Sequence, residues 1–349
     1  MKNSSLQNFS PQKILICQLR QIGDVLLATP AIKLLAQKFP QAKIYFYTEK
    51  KCAPLLENNP YLYKIISLDR KQLKNFLTEL KFYRQIAKQN FDLIVDFQQL
   101  PRIRWVIFFS KAKIKLTYTP PWYNKILYSQ WVNSLPGYAA YCKLSILRAL
   151  DIDPQIIPPQ VYLRENEILS AQNYLKKLKV KPDNLFLTFD PTHRRKTRCW
   201  PSSHYIQLGQ LIKKHHPQTK ILLLYGPKER NFVEPIYKSD KNLFILPDKV
   251  LSLREMAAII SLAKMHIGNC SAPRHIAVAV NTPSFTILGA TSSAWTYPKG
   301  YHYDIKLGLK CQPCNKNHCE HINCLVNLSP QTVWNALQPK LDALILPTK

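Results

Sequence analysis

Short runs of consecutive apolar residues alternate along the chain with longer segments whose apolar residues recur every three or four positions. The first run, Ile14-Leu15-Ile16-Cys17, reads as a strand buried on both faces, because such a strand carries apolar side chains without alternation. Behind it Val25, Leu26, Leu27, Ile32, Leu34 and Leu35 fall at helical spacing, with a tight turn expected at Gly23 and Asp24 as the first acidic residue of the helix. The pattern then repeats. Lys43–Thr48 is a second strand, a short helix around Cys52–Asn58 ends at the breaker Asn58-Asn59-Pro60, and Lys64–Leu68 is a third strand. Lys71–Gln89 carries helical spacing, Asp92–Asp96 is a fourth strand and Lys113–Leu116 a fifth. Repeated β-α-β units imply a parallel sheet with helices on both faces.

The character changes between Asp151 and Asn184, where Pro154, Pro158, Pro159 and Pro182 flank one helical segment, Glu165–Leu178. The alternation then restarts with strands at Leu185–Phe189, Ile221–Tyr225, Met265–Gly268 and Ser284–Leu288, and helices at Ser202–His215, Leu253–Ala263 and Ala272–Val280. The chain has 349 residues, more than one hydrophobic core usually holds. The expected organisation is an α/β protein with two doubly wound domains, residues 1–165 and 166–329. A terminal helical stretch, 330–349, is expected to break or kink near Pro339 and is free to return to the first domain.

Composition narrows the class. The hydrophobic content, 46%, is that of a folded globular protein. No apolar stretch reaches the roughly 18 to 20 residues of a membrane span, and Met1–Pro11 lacks an apolar signal core, which points to the cytosol. Lys and Arg number 49 against 21 Asp and Glu, a net charge of +28. Such an excess directs attention to phosphorylated substrates, nucleic acid or an anionic membrane surface, although a Lys-rich proteome would also produce it. Between Asp69 and Lys125, Arg84, Arg102, Arg104, Lys111 and other cations are interleaved with Trp105, Phe108, Trp122 and Tyr123. This is either a solvated face over a packed core or a surface that meets anionic groups with an apolar edge.

Four stretches can carry chemistry. Gly268-Asn269-Cys270-Ser271-Ala272-Pro273-Arg274-His275 is a strand end, a small-residue turn and a helix start, where free N–H groups and the helix dipole favour an anion. It is also what an ordinary capped helix looks like. Asp190–Pro201 places Thr192, His193, Arg194, Arg195, Lys196 and Arg198 behind a strand, as a diphosphate clamp or as a solvated basic loop. Asp24 is either a helix cap or a general base that takes a proton from an attacking hydroxyl. Cys311-x2-Cys314-x4-Cys319-x4-Cys324 has the spacing of a zinc knuckle with Cys in the usual His place, and stands as either a structural Zn²⁺ site or unligated thiols. Neither Gly-x-x-x-x-Gly-Lys-Ser/Thr nor Gly-x-Gly-x-x-Gly occurs, which removes support for a P-loop nucleotidase and a simple dinucleotide enzyme.

Taken together, Arg20-x-x-Gly23-Asp24-Val25-Leu26-Leu27-x-Thr29-Pro30-Ala31, Phe91–Gln98, Trp200-Pro201, Ile267-Gly268-Asn269-x-Ser271-x-Pro273-x-His275 and the late cysteine segment resemble family 9 glycosyltransferases, the ADP-heptose:lipopolysaccharide heptosyltransferases. The cysteine segment is most similar to the heptosyltransferase II branch. The resemblance runs from about Lys13 to Leu337. It implies a GT-B fold of two Rossmann-like domains facing a central cleft. It also implies inverting transfer of a heptose or related sugar from an ADP-sugar to a phosphorylated Kdo–lipid A type acceptor in the lipopolysaccharide inner core. No catalytic cofactor is implied, and the location would be the inner face of the cytoplasmic membrane, held peripherally. Asp24 takes the place of the family's general base. Thr192, Lys196, Arg198, Asn269, Ser271, Ala272 and His275 take the donor, and Arg20, Arg102 and Arg104 the acceptor. Cys311, Cys314, Cys319 and Cys324 stay as the structural zinc candidates. One departure bears on the donor: the family's Asp-Ser/Thr-Gly is Cys270-Ser271-Ala272 here, and the replaced Asp often touches sugar hydroxyls. Two competing readings are a transferase-like scaffold with weakened catalysis and a basic nucleic-acid-binding protein built on the cysteine cluster.

Overall fold

The computed structural model describes residues 9–73 and 75–345. The chain divides into two compact units that meet in sequence at Tyr162 and Leu163. Met1–Asn8, part of the N-terminal segment read above for a signal core, lies outside the described residues, as do the last four residues of the 330–349 stretch.

The first unit comprises β1 (Lys13–Cys17), α1 (Ile22–Lys38), β2 (Lys43–Glu49), β3 (Lys64–Leu68), α2 (Phe76–Ala87), β4 (Leu93–Asp96), α3 (Pro101–Phe109), β5 (Ile114–Tyr118), β6 (Gln130–Val132) and α4 (Ala139–Leu144). Its six strands are all parallel, in the order β3-β2-β1-β4-β5-β6. Alternate residues of β1 feed two cores. Ile14 and Ile16 join Val25, Ile32, Ile44 and Phe46 on one face, while Leu15 and Cys17 join Tyr45, Tyr47 and Ile94 on the other. This double burial is why the strand reads as an unbroken apolar run.

Helix α1 continues through Pro30. A proline there has no N–H for the carbonyl of Leu26, and the Thr29 hydroxyl donates to that carbonyl instead, at 2.7 Å. Gly23 lies inside the helix, and the turn expected there falls earlier, between Gln18 and Gln21.

The second unit comprises α5 (Glu165–Lys177), β7 (Leu185–Asp190), α6 (Ser202–His215), β8 (Thr219–Leu223), α7 (Arg230–Ser239), β9 (Phe244–Ile245), α8 (Leu253–Ser261), β10 (Met265–Asn269), α9 (Ala272–Ala279), β11 (Ser284–Ile287), β12 (His302–Ile305), α10 (Asn323–Val326) and α11 (Pro330–Ile345). Its sheet order is β12-β11-β10-β7-β8-β9, again all parallel. Helix α11 runs unbroken through Pro339 and packs Val333, Trp334, Leu337 and Leu341 into this unit's own core beside α6, with Trp334 5.0 Å from the His215 ring. The freedom to return to the first domain is thereby corrected. The apolar stripe that makes the stretch helical already has a partner in the second unit.

Both sheets show the same strand order within their units, with a reversal between β1 and β4 in the first and between β7 and β10 in the second. In such sheets ligands bind beyond the carboxyl ends of the strands at the point of reversal.

Candidate active site

At the reversal point of the first unit, the turn after β1 lies against the turn after β4. The Gln98 Oε1 accepts from the N–H groups of Leu19 (2.9 Å) and Arg20 (3.1 Å). The carboxylate of Asp96 fixes the second turn by accepting from the N–H groups of Gln98 (2.8 Å) and Gln99 (2.9 Å) and from the Tyr128 hydroxyl (2.7 Å). Asp96 is fully buried, and burial raises its pKa. Asp24 follows in the first turn of α1, where an acidic group is favoured by the helix dipole. Its Oδ1 lies 3.2 Å from the Lys143 Nζ, which also donates to the Gln18 Oε1 at 3.1 Å. The Gln18 Nε2 in turn donates to the Arg20 carbonyl at 2.8 Å. The Asp24 side chain is 27% exposed and that of Lys143 13%. Asp24 is therefore a half-open carboxylate held in place by a sheltered ammonium, an arrangement able to accept a proton.

Of the expected acceptor residues, Arg20 is exposed. Arg102 Nη2 pairs with Glu79 at 3.1 Å, which raises the guanidinium's pKa, and Arg104 Nη1 donates to Asn124 at 2.8 Å. Both are thus engaged within their own unit. Lys143 and Gln18, which hold Asp24 and its turn, were not singled out from the sequence, and Gln98 entered only as the end of the Phe91–Gln98 motif.

At the reversal point of the second unit, two loops converge. Gly268 allows the approach: a Cβ there would stand 2.7 Å from the Asp190 Cβ and 2.9 Å from its carbonyl. Asn269 is fully buried, accepts the Trp200 N–H at 3.0 Å and reaches the Thr192 carbonyl at 3.5 Å, so it clamps the two loops together. Ser271 donates to the carboxylate of Asp190. Burial pushes the Asp190 carboxyl up to about 7, against the lowering effect of Ser271 and Thr192. The Thr192 hydroxyl donates to Glu229 (2.7 Å), whose carboxylate also takes the Gly226 N–H (2.7 Å).

Cations line the same end of the sheet. Lys196 is exposed, whereas Arg198 is half-buried with an Nε that has no hydrogen-bond partner. Burial, together with the charges of Arg195 and Arg274, pulls the Arg198 pKa down. His275 is buried and kept neutral, by burial first and by Arg274 second. His193 is lowered to about 4, by burial and then by Arg198, Arg195 and Arg194. Ala272 opens α9, whose first N–H groups are available to an anion. Thr192, Lys196 and Arg198 thus follow β7, and Ser271, Ala272 and His275 follow its neighbour β10. Asp190, Glu229 and Arg274 belong to the same group and were not singled out from the sequence.

The cysteine segment holds the four zinc candidates. Cys311, Cys314, Cys319 and Cys324 are free thiols, and among the described residues no three His, Cys, Asp or Glu side chains are grouped as a metal site. Cys324 nevertheless feels the charges of Cys314, Cys311 and Cys319, so the four thiols lie in one neighbourhood. Cys311 and Cys319 are exposed, whereas Cys324 sits with Leu325 in the core, where burial raises its pKa. The segment is held by its main chain. The Lys316 carbonyl accepts from the Thr197 hydroxyl (2.9 Å), Asn315 N–H donates to the Ala290 carbonyl (2.8 Å), and Ala290 N–H donates to the Thr197 carbonyl (2.9 Å). It braces the Lys196–Arg198 turn.

Two Rossmann-like domains, one with a carboxylate and the other with cations and a helix start at the reversal point, are the architecture of the GT-B class. The sequence pattern of glycosyltransferase family 9 (heptosyltransferase) matches residues 79–324, and the chain belongs to that family. Lipopolysaccharide heptosyltransferase 1 of Campylobacter coli is 24% identical over 295 residues, covering 80% of this chain and 85% of that protein. A glycosyltransferase family 9 crystal structure from Veillonella parvula superimposes with a TM-score of 0.83 at 17% identity, over 97% of this chain and all of that one. E. coli heptosyltransferase WaaC, solved with ADP-2-deoxy-2-fluoro heptose, gives a TM-score of 0.71 at 17% identity, over 94% of this chain and 99% of that one. Among the described residues no helix is long and apolar enough to cross a membrane.

Proposed function

We propose that this glycosyltransferase moves a heptose, or a closely related sugar, from an ADP-sugar to a phosphorylated Kdo–lipid A type acceptor of the lipopolysaccharide inner core. The observation that carries the donor half is Arg198 beside the start of α9, with Lys196 on the same turn as Arg198. Cations and free N–H groups there would hold the diphosphate and stabilise the charge that develops on the departing ADP. Glu229, already oriented by Thr192 and the Gly226 N–H, supplies an acceptor for ribose hydroxyls. The ADP-sugar bound by E. coli WaaC supports this choice of donor class.

In the step itself an acceptor hydroxyl oxygen attacks the anomeric carbon, and the bond from that carbon to the diphosphate oxygen breaks. ADP leaves with the electron pair, and Asp24 takes the hydroxyl proton. Displacement from the opposite face inverts the anomeric configuration. No cofactor takes part. Lys143 holds Asp24 by its ion pair, so the carboxylate keeps one geometry through the step.

The lipid-linked acceptor calls for contact with the cytoplasmic face of an anionic membrane. The turn Trp122–Leu127 supports it: Trp122 is 81% and Ile126 92% exposed, with Lys125 between them. Exposed aromatic and aliphatic residues beside a basic side chain suit the headgroup region of a bilayer.

The test is direct. The purified protein, incubated with ADP-heptose and Kdo–lipid A, should make the acceptor heavier by one sugar residue in the mass spectrum. Failure to add a sugar from any ADP-sugar refutes the activity. Sedimentation with vesicles containing anionic lipid, lost in a Trp122→Ala/Ile126→Ala variant, tests the membrane contact separately.

A further inference from the structure

Arg274 is the third residue of α9 and only 2% exposed. Neither terminal nitrogen of its guanidinium has a hydrogen-bond partner. The two carboxylates of this strand end are paired elsewhere: Asp190 with Ser271, and Glu229 with Thr192 and the Gly226 N–H. A buried guanidinium without a counter-charge is among the least favourable groups a protein interior can hold. A purely packing position would be served better by an apolar side chain of similar length.

Its surroundings say what is missing. Arg274 lies close enough to Arg198 for its charge to be felt there, and the buried Nε of Arg198 also lacks a partner. His266 and His275 face the same charge and are held neutral, largely by burial, so neither adds to nor offsets it. Cys270, at the mouth of the same helix, is buried and brings no carboxylate to the pocket. A buried guanidinium and a half-buried one beside a helix N-terminus thus leave room for an anion from outside, and a diphosphate brings two negative charges.

Resting on the proposed reading that this unit binds an ADP-sugar, we propose that Arg274 is a donor-binding residue. It would be the second sheltered cation of the diphosphate site beside Arg198, taking a phosphate oxygen of the donor and of the ADP that leaves.

Isothermal titration of ADP, inorganic pyrophosphate and adenosine into the full chain, together with thermal melts, tests this in wild type, Arg274→Met and Arg274→Lys. The expected result is that Arg274→Met weakens ADP and pyrophosphate about 10- to 100-fold while leaving adenosine unchanged. Without ligand its melting temperature should equal or exceed that of wild type, because an unpaired buried charge has been removed, and ADP should raise it less. Arg274→Lys should recover part of the affinity. An Arg274→Met variant that binds ADP as wild type does overturns the proposal while leaving the donor reading intact. A variant that loses affinity only together with a sharp fall in ligand-free melting temperature, unrescued by Lys, shows a structural role and overturns it too. Wild-type protein that binds neither ADP nor pyrophosphate overturns the donor reading itself.

Discussion

Replacing Asp24 by Asn separates two roles that coincide at one atom. The carboxylate pairs with Lys143 at 3.2 Å, and its other oxygen stands 3.4 Å from the Gln21 N–H at the start of α1. Asn keeps the shape and an acceptor for the helix start, so the capping contribution changes little. It removes the negative charge and leaves the Lys143 ammonium, 13% exposed, with Gln18 as its remaining partner. Exposed ion pairs are worth about 0 to 1 kcal/mol, and breaking a fully buried one costs about 3 to 5, so a half-sheltered pair should cost about 2 kcal/mol. For a unit of this size that is a fall of about 4 to 8 °C in its melting transition. Loss of a general base should lower the turnover rate by about 10²- to 10⁴-fold at 25 °C, far more than the stability change explains. The assay is sugar transfer followed by mass spectrometry at saturating donor, alongside calorimetric melting of Asp24→Asn, Lys143→Met and the double variant. The double variant should regain most of the lost stability, because neither charge is then left alone, yet stay inactive. Recovery of activity in the double variant, or near-normal turnover in Asp24→Asn, would falsify the base assignment and leave Asp24 as an ion-paired cap.

The pH dependence of stability offers two further checks. Asp190 is raised to about 7, so its contribution is fully present below about pH 4 and is lost as pH rises through about 7. Asp190→Asn should therefore lose less stability than wild type between pH 5 and 8, as read from urea midpoints. His266 is lowered to about 3 by burial, so its contribution is present above about 6.5 and is lost as pH falls toward 3. His266→Asn should show a shallower fall in melting temperature from pH 6.5 to 4. Gly289→Ala tests the brace behind the donor turn, since a Cβ there would overlap the Thr197 carbonyl and stand 2.8 Å from the Leu325 Cδ1. It should cost about 1 to 3 kcal/mol and raise the KM for the donor, whereas unchanged donor KM would show that the Lys196–Arg198 turn does not depend on this contact.

Much of the fold was legible because doubly covered parallel strands write themselves as apolar runs. Helix α6 was read at its observed bounds, Ser202–His215, and β1, β3, β7 and α9 within a residue or two. The misses have physical reasons. β6 spans only three residues and β12 is half-exposed along its length, so neither carries an apolar run, and β9 is only two residues long. Helix α7 contains Pro235, which reads as a breaker. Helix α2 starts at Phe76, later than the periodicity from Lys71 suggested, because Asn75 caps it by accepting the Thr78 N–H. Cysteine spacing does not show burial either: Cys324 joins the core while Cys311 and Cys319 are exposed.

For the site, the sequence alone determined the stretches on which the proposed chemistry rests: Asp24 at the head of the first helix, the basic loop from Asp190 to Pro201, and the small-residue start of α9. Those assignments follow from local rules, since strand ends, helix starts and charge runs are properties of neighbouring residues. Only the tertiary structure decided what each residue faces. It brought Lys143 and Gln18 to Asp24, turned Asn269 from a ligand candidate into a clamp on Trp200, and buried Arg274 without a partner. Burial and pairing depend on strands far apart in the chain meeting at one edge of a sheet, and those two quantities set whether a charge is spent on the fold or left for a ligand.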